Sequence, residues 1–161
     1  MRVTLLGAGG GARAIAANLA LSGALSVTLA NRTLARAETL SAELSAKIRG
    51  ATFRALPLAA EPLRPCLAQT DLLVNCTAVG MRTEPFTPEL PLGELPGHAL
   101  VYDLVYLTEA TPLLEQARLA GRRRLGGLGM LLRQAVLTQE LWTGVRPPLA
   151  VLEEAARAAL T

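Results

Sequence analysis

Six small residues near the start of the chain, Gly7-Ala8-Gly9-Gly10-Gly11-Ala12, carry the spacing G-x-G-x-x-A. A glycine in the first position permits a tight turn. One in the second leaves no Cβ between the backbone and an approaching anion, and a small third residue lets a helix lie close on a strand. Such a turn aims the first amides of a helix at one point, where the helix dipole favours a diphosphate. The next residues able to do chemistry are Asn31, Arg32, Thr33 and Arg36. A second strand that ends in Asp or Glu would hydrogen-bond a ribose 2′-hydroxyl and repel a phosphate placed there. No carboxylate follows this strand until Glu38. Arg32 can pair with a 2′-phosphate, Asn31 and Thr33 can donate to it, and Arg36 lies one helical turn further on. The pattern selects NADP over NAD; its alternative is that Thr33 only caps a helix and Arg32 is solvated.

These residues need a frame that brings strand ends to one edge. Val3–Leu6 is a short apolar run closed by glycine, as a buried parallel strand requires, and 11–22 has helical spacing that stops at Gly23. Strands are expected at 26–30, 51–54, 71–75, 99–103 and 123–125, and helices at 34–48, 111–120, 128–142 and 148–160. Pro57, Pro62 and Pro65 point to a loop with at most one helical turn, and the proline-rich 82–97 to a long irregular connection. The alternation predicts an α/β, Rossmann-type doubly wound parallel sheet in a single domain spanning 1–161.

At 161 residues, 51% of them hydrophobic, the chain can bury a core without disulfides or metals. Net charge is +3 and Lys47 is the only lysine. With aromatics at 3% and no basic stripe, nucleic-acid binding is not expected. Cys66 and Cys76 stand apart, without a ligand cluster, and read as reduced thiols of a cytoplasmic protein. The strand pattern begins at once, so no signal peptide is expected, and no apolar run approaches the roughly 20 residues of a membrane span.

Three later segments fall at strand ends: Asn75-Cys76-Thr77-Ala78-Val79-Gly80-Met81, Asp103-Leu104-Val105-Tyr106, and Gly127-Leu128-Gly129-Met130 continuing to Gln134. With GAGGGARA, NRT, Thr111-Pro112 and Glu140–Gly144, they make the whole chain resemble the C-terminal, NADP-binding domain of shikimate dehydrogenases. That family shows GAGGA-x-RA, NRT, N-x-T-x-x-GM, D-x-x-Y followed by TP, and DGLGML-x-x-Q in the same order. The resemblance implies reversible NADP(H)-dependent reduction of 3-dehydroshikimate to shikimate. It places Ala8 to Gly11 at the pyrophosphate and Asn31, Arg32, Thr33 and Arg36 at the adenosine phosphate. Thr77, Leu104 and Gly127 would face the nicotinamide, and Tyr106 and Gln134 the substrate. By residue type alone, a strand-end tyrosine and a helical glutamine are equally ordinary structural residues. Two departures stand out: Gly126 replaces the Asp before GLGM, and Leu107-Thr108 replaces the Asn-Pro after the tyrosine.

In that family a substrate domain, with a Lys/Asp pair for proton transfer, precedes the glycine turn. Here the turn begins at Gly7, so the expectation is an NADP-binding domain with the substrate domain absent and no catalytic residue of its own. Lys47 reads as a solvated charge on a helix and His98 as a turn residue. Shikimate or a similar small molecule is expected as a partner only if a substrate domain is supplied. A free-standing NADP-binding sensor or subunit and a fragment of a related quinate or polyol dehydrogenase remain the other readings. Val79, Met81, Met130 and Leu131 are expected to leave an apolar cleft face that favours a homodimer.

Overall fold

Short branched-aliphatic runs, each closed by a turn residue, form six parallel strands in a computed structural model that describes residues 1–81, 89–106 and 111–160. They are β1 (Arg2–Leu6), β2 (Ser26–Asn31), β3 (Thr52–Pro57), β4 (Leu72–Asn75), β5 (Leu100–Asp103) and β6 (Arg123–Leu125). The helices are α1 (Gly10–Leu21), α2 (Leu34–Lys47), α3 (Ala60–Leu67), α4 (Pro112–Leu119), α5 (Leu128–Thr143) and α6 (Leu149–Leu160). Strand order is β3-β2-β1-β4-β5-β6, all parallel. Connections leave β1 in opposite directions along the sheet, so the crevice opens between the carboxyl ends of β1 and β4.

Alternation along the strands sorts two cores. Val3, Leu5, Val27, Leu29 and Val74 face α1 and α2, whereas Leu6, Ala30, Leu73 and Val101 face α3 and α4. On α1 the buried positions are Ala12, Ala16 and Ala20, four residues apart. A stripe this small lets the helix axis approach the sheet closely and fixes where its first turn points.

The expected doubly wound sheet is present, with two local corrections. The segment after β3 holds a two-turn helix, α3, rather than a loop with at most one turn. Pro62 falls in its first turn, where a missing N–H costs nothing, and only Pro65 removes an internal bond. Burial of Leu63 and Leu67, both fully enclosed, offsets that loss. The third strand also runs on to Pro57, which an edge strand tolerates because its outer side has no neighbour. Residues 82–88 of the expected irregular connection, and the Leu107-Thr108 departure, lie outside the described residues; the connection's later part contains a short 3₁₀ turn at Leu92–Glu94.

Among the described glycines the tightest fit is at Gly127, whose N–H donates to the Val105 carbonyl at 3.1 Å. A Cβ at Gly127 would collide with the Leu104 carbonyl and stand 2.8 Å from the Val105 oxygen, and both are backbone atoms that cannot swing away. Its neighbour Gly126 has room, since a Cβ there would meet only Leu114 Cδ1 at 3.7 Å. Gly127→Ala should therefore lower the unfolding free energy by about 3 kcal/mol while Gly126→Ala changes it by less than about 1. Urea titrations of the two variants check this, and equal losses would contradict it.

Candidate functional site

The glycine turn meets the sheet at Gly7, where the chain takes a φ of +110°. Its N–H donates to the Ala30 carbonyl at 2.7 Å, tying the end of β1 to β2. A side chain there would also press on Thr77 Cγ2 at 3.1 Å and on the Cys76 carbonyl at 3.3 Å. Position 7 is glycine both because of its backbone angle and because the loop after β4 crosses directly over it. Gly9 caps α1 without any side-chain hydrogen bond, and the N–H groups of Gly10, Gly11 and Ala12 have no partner among the described residues. Cβ atoms built on Gly9, Gly10 and Gly11 would meet nothing within 4 Å. This open cradle at a helix N-terminus, with Ala8 half-buried behind it, fits a diphosphate.

At the end of β2, Asn31 donates from Nδ2 to the Thr33 carbonyl at 2.9 Å, folding the turn that starts α2. Thr33 stands at the N-cap of α2, yet its side chain makes no capping hydrogen bond. The alternative role as a cap is not taken up, and the hydroxyl is left for another acceptor or donor. Arg32, Thr33 and Arg36 are all exposed, and among the described residues neither guanidinium forms an ion pair. Arg13, one turn into α1, is different: it is held by Glu43 of α2. Two uncommitted arginines and a free hydroxyl beside the glycine turn suit a second phosphate group.

The opposite wall of the crevice hangs on a buried polar cluster that the sequence motifs contained without revealing. Asp103, fully buried at the end of β5, accepts hydrogen bonds from Asn75 Nδ2 at 2.8 Å, the Val105 N–H at 3.1 Å and Thr111 Oγ1 at 2.6 Å. Thr111 in turn caps α4 by accepting from the Leu114 N–H at 3.3 Å. Asn75 also donates to the Val79 carbonyl at 3.1 Å, and its Oδ1 accepts from the Thr77 N–H at 3.0 Å and Thr77 Oγ1 at 2.6 Å. Burial raises the Asp103 carboxyl above its usual range, against the lowering effect of its three donors. Burial likewise pushes the Cys76 thiol up to about 12, with the Asp103 charge adding to the rise. Cys76 therefore stays a protonated, unreactive thiol at this edge.

The other expected site residues are placed as follows. Thr77 is set against Gly7, and Leu104 against Gly127, so these pairs are brought together. Gly127 itself is buried between α5 and the end of β5, with a packing role that its motif did not announce. Tyr106 is half-buried at the end of the same segment. Gln134 is exposed on α5 and borders a groove shared with Trp142 and Leu152, to which Tyr106 does not contribute. Of the expected apolar cleft face, Met81 is 36% exposed, and Val79, Met130 and Leu131 are half-buried. The most exposed large apolar residues among those described are Leu141 (82%) and Trp142 (79%) near the end of α5, followed by Leu21 (76%) on α1 and Leu119 (72%) on α4. Helix α5 packs against α6.

Comparison with known proteins points the same way as this geometry. The description Shikimate / quinate 5-dehydrogenase matches residues 1–83, and Shikimate 5'-dehydrogenase C-terminal domain matches 127–157. The shikimate dehydrogenase (NADP(+)) of Geobacter sulfurreducens is 46% identical over 159 residues, which span 99% of this chain and 55% of that protein. The ligand-free 5-ketofructose reductase of Gluconobacter sp. strain CHM43 superposes with a TM-score of 0.84 at 36% identity, covering 98% of this chain and 56% of that one. The shikimate 5-dehydrogenase of Thermus thermophilus, solved with NADP(H) and shikimate, gives 0.78 at 36% identity, covering 98% and 54%. The chain spans about half the length of the relatives it matches.

The buried cluster generates one expectation about stability. Asp103→Ala strands three donors and should cost at least about 3 kcal/mol. Asp103→Asn keeps the shape and removes the charge, which isolates the pH effect. A carboxyl whose pKa is raised on folding contributes stability below its unfolded value, and that stability is lost as pH rises through the folded value. From about pH 4 to pH 7 the protein should lose stability relative to Asp103→Asn. A pH-independent difference between the two in urea unfolding would show that burial does not dominate this site.

Proposed function

Because the chain belongs to the shikimate / quinate 5-dehydrogenase family, we propose that it is the NADP(H)-binding half of a dehydrogenase acting on a small cyclic polyol of the shikimate kind. The observation that carries the reading is the pairing of an open glycine cradle with Arg32 and Arg36, two guanidiniums that form no ion pair among the described residues. The first amides of α1 hold the pyrophosphate. Arg32, with Asn31, Thr33 and Arg36 beside it, takes the 2′-phosphate of NADP. Thr77, Leu104 and Gly127 form the nicotinamide side, and Tyr106 and Gln134 serve the substrate. The bound cofactor supplies or accepts a hydride.

Hydride transfer to a ketone also requires a proton donor at the carbonyl oxygen. The lysine and the histidine of this chain do not serve. Lys47 is in the last turn of α2, and His98 bonds Asp71 at 2.9 Å at the amino ends of β4 and β5, the far end of the sheet. We read the proton donor and the groups that grip the substrate as parts of a substrate domain, the share of the relatives' length that this chain does not span. The exposed apolar face of α5 and α6 suits such a domain, or a second copy of this chain in a homodimer. Two unpaired cysteines and this redox chemistry suit work in the cytoplasm.

Fluorescence titration with NADPH and NADH tests the cofactor assignment. NADPH should bind at least about tenfold more tightly, and Arg32→Ala should weaken NADPH about 10- to 100-fold while leaving NADH unchanged. Equal affinities for the two cofactors in the unaltered protein would overturn it. In a dehydrogenase assay with shikimate and NADP, the isolated chain should give no turnover, and adding a separately expressed substrate domain from a relative should restore it. Turnover by the chain alone would place the proton donor within it.

A further inference from the structure

The sheet face covered by α3 changes character along its strands. Near the carboxyl ends the row across β1, β2 and β3 is apolar, with Leu6, Ala30 and Leu56. One step toward the amino ends the row reads Thr4, Thr28, Arg54, and the next reads Arg2, Ser26, Thr52. Helix α3 has only eight residues, and its buried Leu63 and Leu67 belong to the core that includes the apolar row. Over the polar rows a recess of about 570 Å³ remains, large enough for a small organic molecule.

The chemistry of this recess is one-sided. Arg2 and Arg54 both line it, and no carboxylate does. Among the described residues neither guanidinium makes a hydrogen bond or an ion pair; Asp71, next to Thr70, is committed to the Arg2 backbone N–H and to His98, and Glu61, next to Pro62, is not among the lining residues. Their strands stand two interstrand steps apart, about 10 Å, so two arginine side chains can converge on one anion. The floor is already satisfied: Thr4 and Thr70 share a hydrogen bond of 2.7 Å, and Cys66 Sγ lies 3.4 Å from Thr4 Oγ1 and 3.5 Å from Thr28 Oγ1. Leu25, Leu56, Pro62 and Pro65 supply an apolar wall. A hydrophobic partner surface would bury both charges without compensation, whereas a compact organic anion would pair them and cover the wall.

We propose that this recess is a second binding site, at the end of the sheet opposite the glycine turn, for a small organic anion with an apolar body. Its charged rows lie toward the amino ends of the strands, away from the glycine turn, so both sites can be filled together.

Cys66 in the recess provides a local readout, with 8-anilinonaphthalene-1-sulfonate as the anionic probe and N-phenyl-1-naphthylamine as its uncharged counterpart. In the unaltered protein iodoacetamide should modify Cys66 and leave Cys76 silent. The sulfonate probe should slow Cys66 modification about tenfold, the uncharged one much less, and saturating NADPH should not remove the protection. Arg2→Gln with Arg54→Gln should abolish the difference between the probes at an unchanged unfolding midpoint, because neither guanidinium bonds to the fold. The proposal is overturned by equal protection from both probes, by displacement with NADPH, or by probe fluorescence without protection of Cys66. It is also overturned if Cys66 does not react in the free protein, since the recess would then be closed to molecules of this size.

Discussion

Asp103 ends β5 inside the protein, and among the described residues no arginine, lysine or histidine is bonded to it. An isolated carboxylate is costly to bury, and the cost is tolerable only when donors converge on it from several directions. Here they come from the end of β4, from the turn after β5 and from the cap of α4, so one side chain holds three segments in register. Asn75 extends the cluster through Thr77 to the loop that lies over Gly7. The wall of the crevice is therefore fixed by polar bonds, and the rest of the edge is arranged around it. A network in which every member is satisfied is rigid, and rigidity is what a dinucleotide site needs from its walls.

Both ends of the sheet are polar, but for different reasons. At the carboxyl end, parallel strands diverge around β1 and β4, and unpartnered helix amides and two arginines collect there. At the amino end, the shortness of α3 leaves strand side chains uncovered. The first arrangement follows from topology and recurs wherever the strand order reverses. The second depends on the length of one crossover helix and on the alternate residues of three strands.

Much of this was legible in the sequence, and the failures are physical ones. The glycine turn, the carboxylate-free end of β2 and the alternation of strands and helices were visible because each depends on local residue type and spacing. The α3 helix is hidden because proline marks a break by residue type, whereas Pro62 falls in the first turn, where no backbone bond is lost. Asn75 and Asp103 stood in plain view as the last residues of apolar runs. Their partnership joins residues 28 apart and appears only when β4 pairs with β5. Gly127 was legible as a motif residue but not as the point where α5 touches backbone. Which apolar residues stay exposed also escaped the pattern, since helical spacing in 128–142 does not say which faces will find a neighbour.

The alanine stripe of α1 ties the interior to the phosphate cradle. Ala12, Ala16 and Ala20 set the distance between helix and sheet, and Gly9 to Gly11 ride at the end of the same rigid rod. Any larger side chain among those three would lift the rod and shift every amide at its tip in concert, long before the domain unfolded. Substitutions deep in this core should therefore surface first as altered nucleotide recognition, so evolutionary drift at buried positions of α1 is constrained by the ligand as much as by folding.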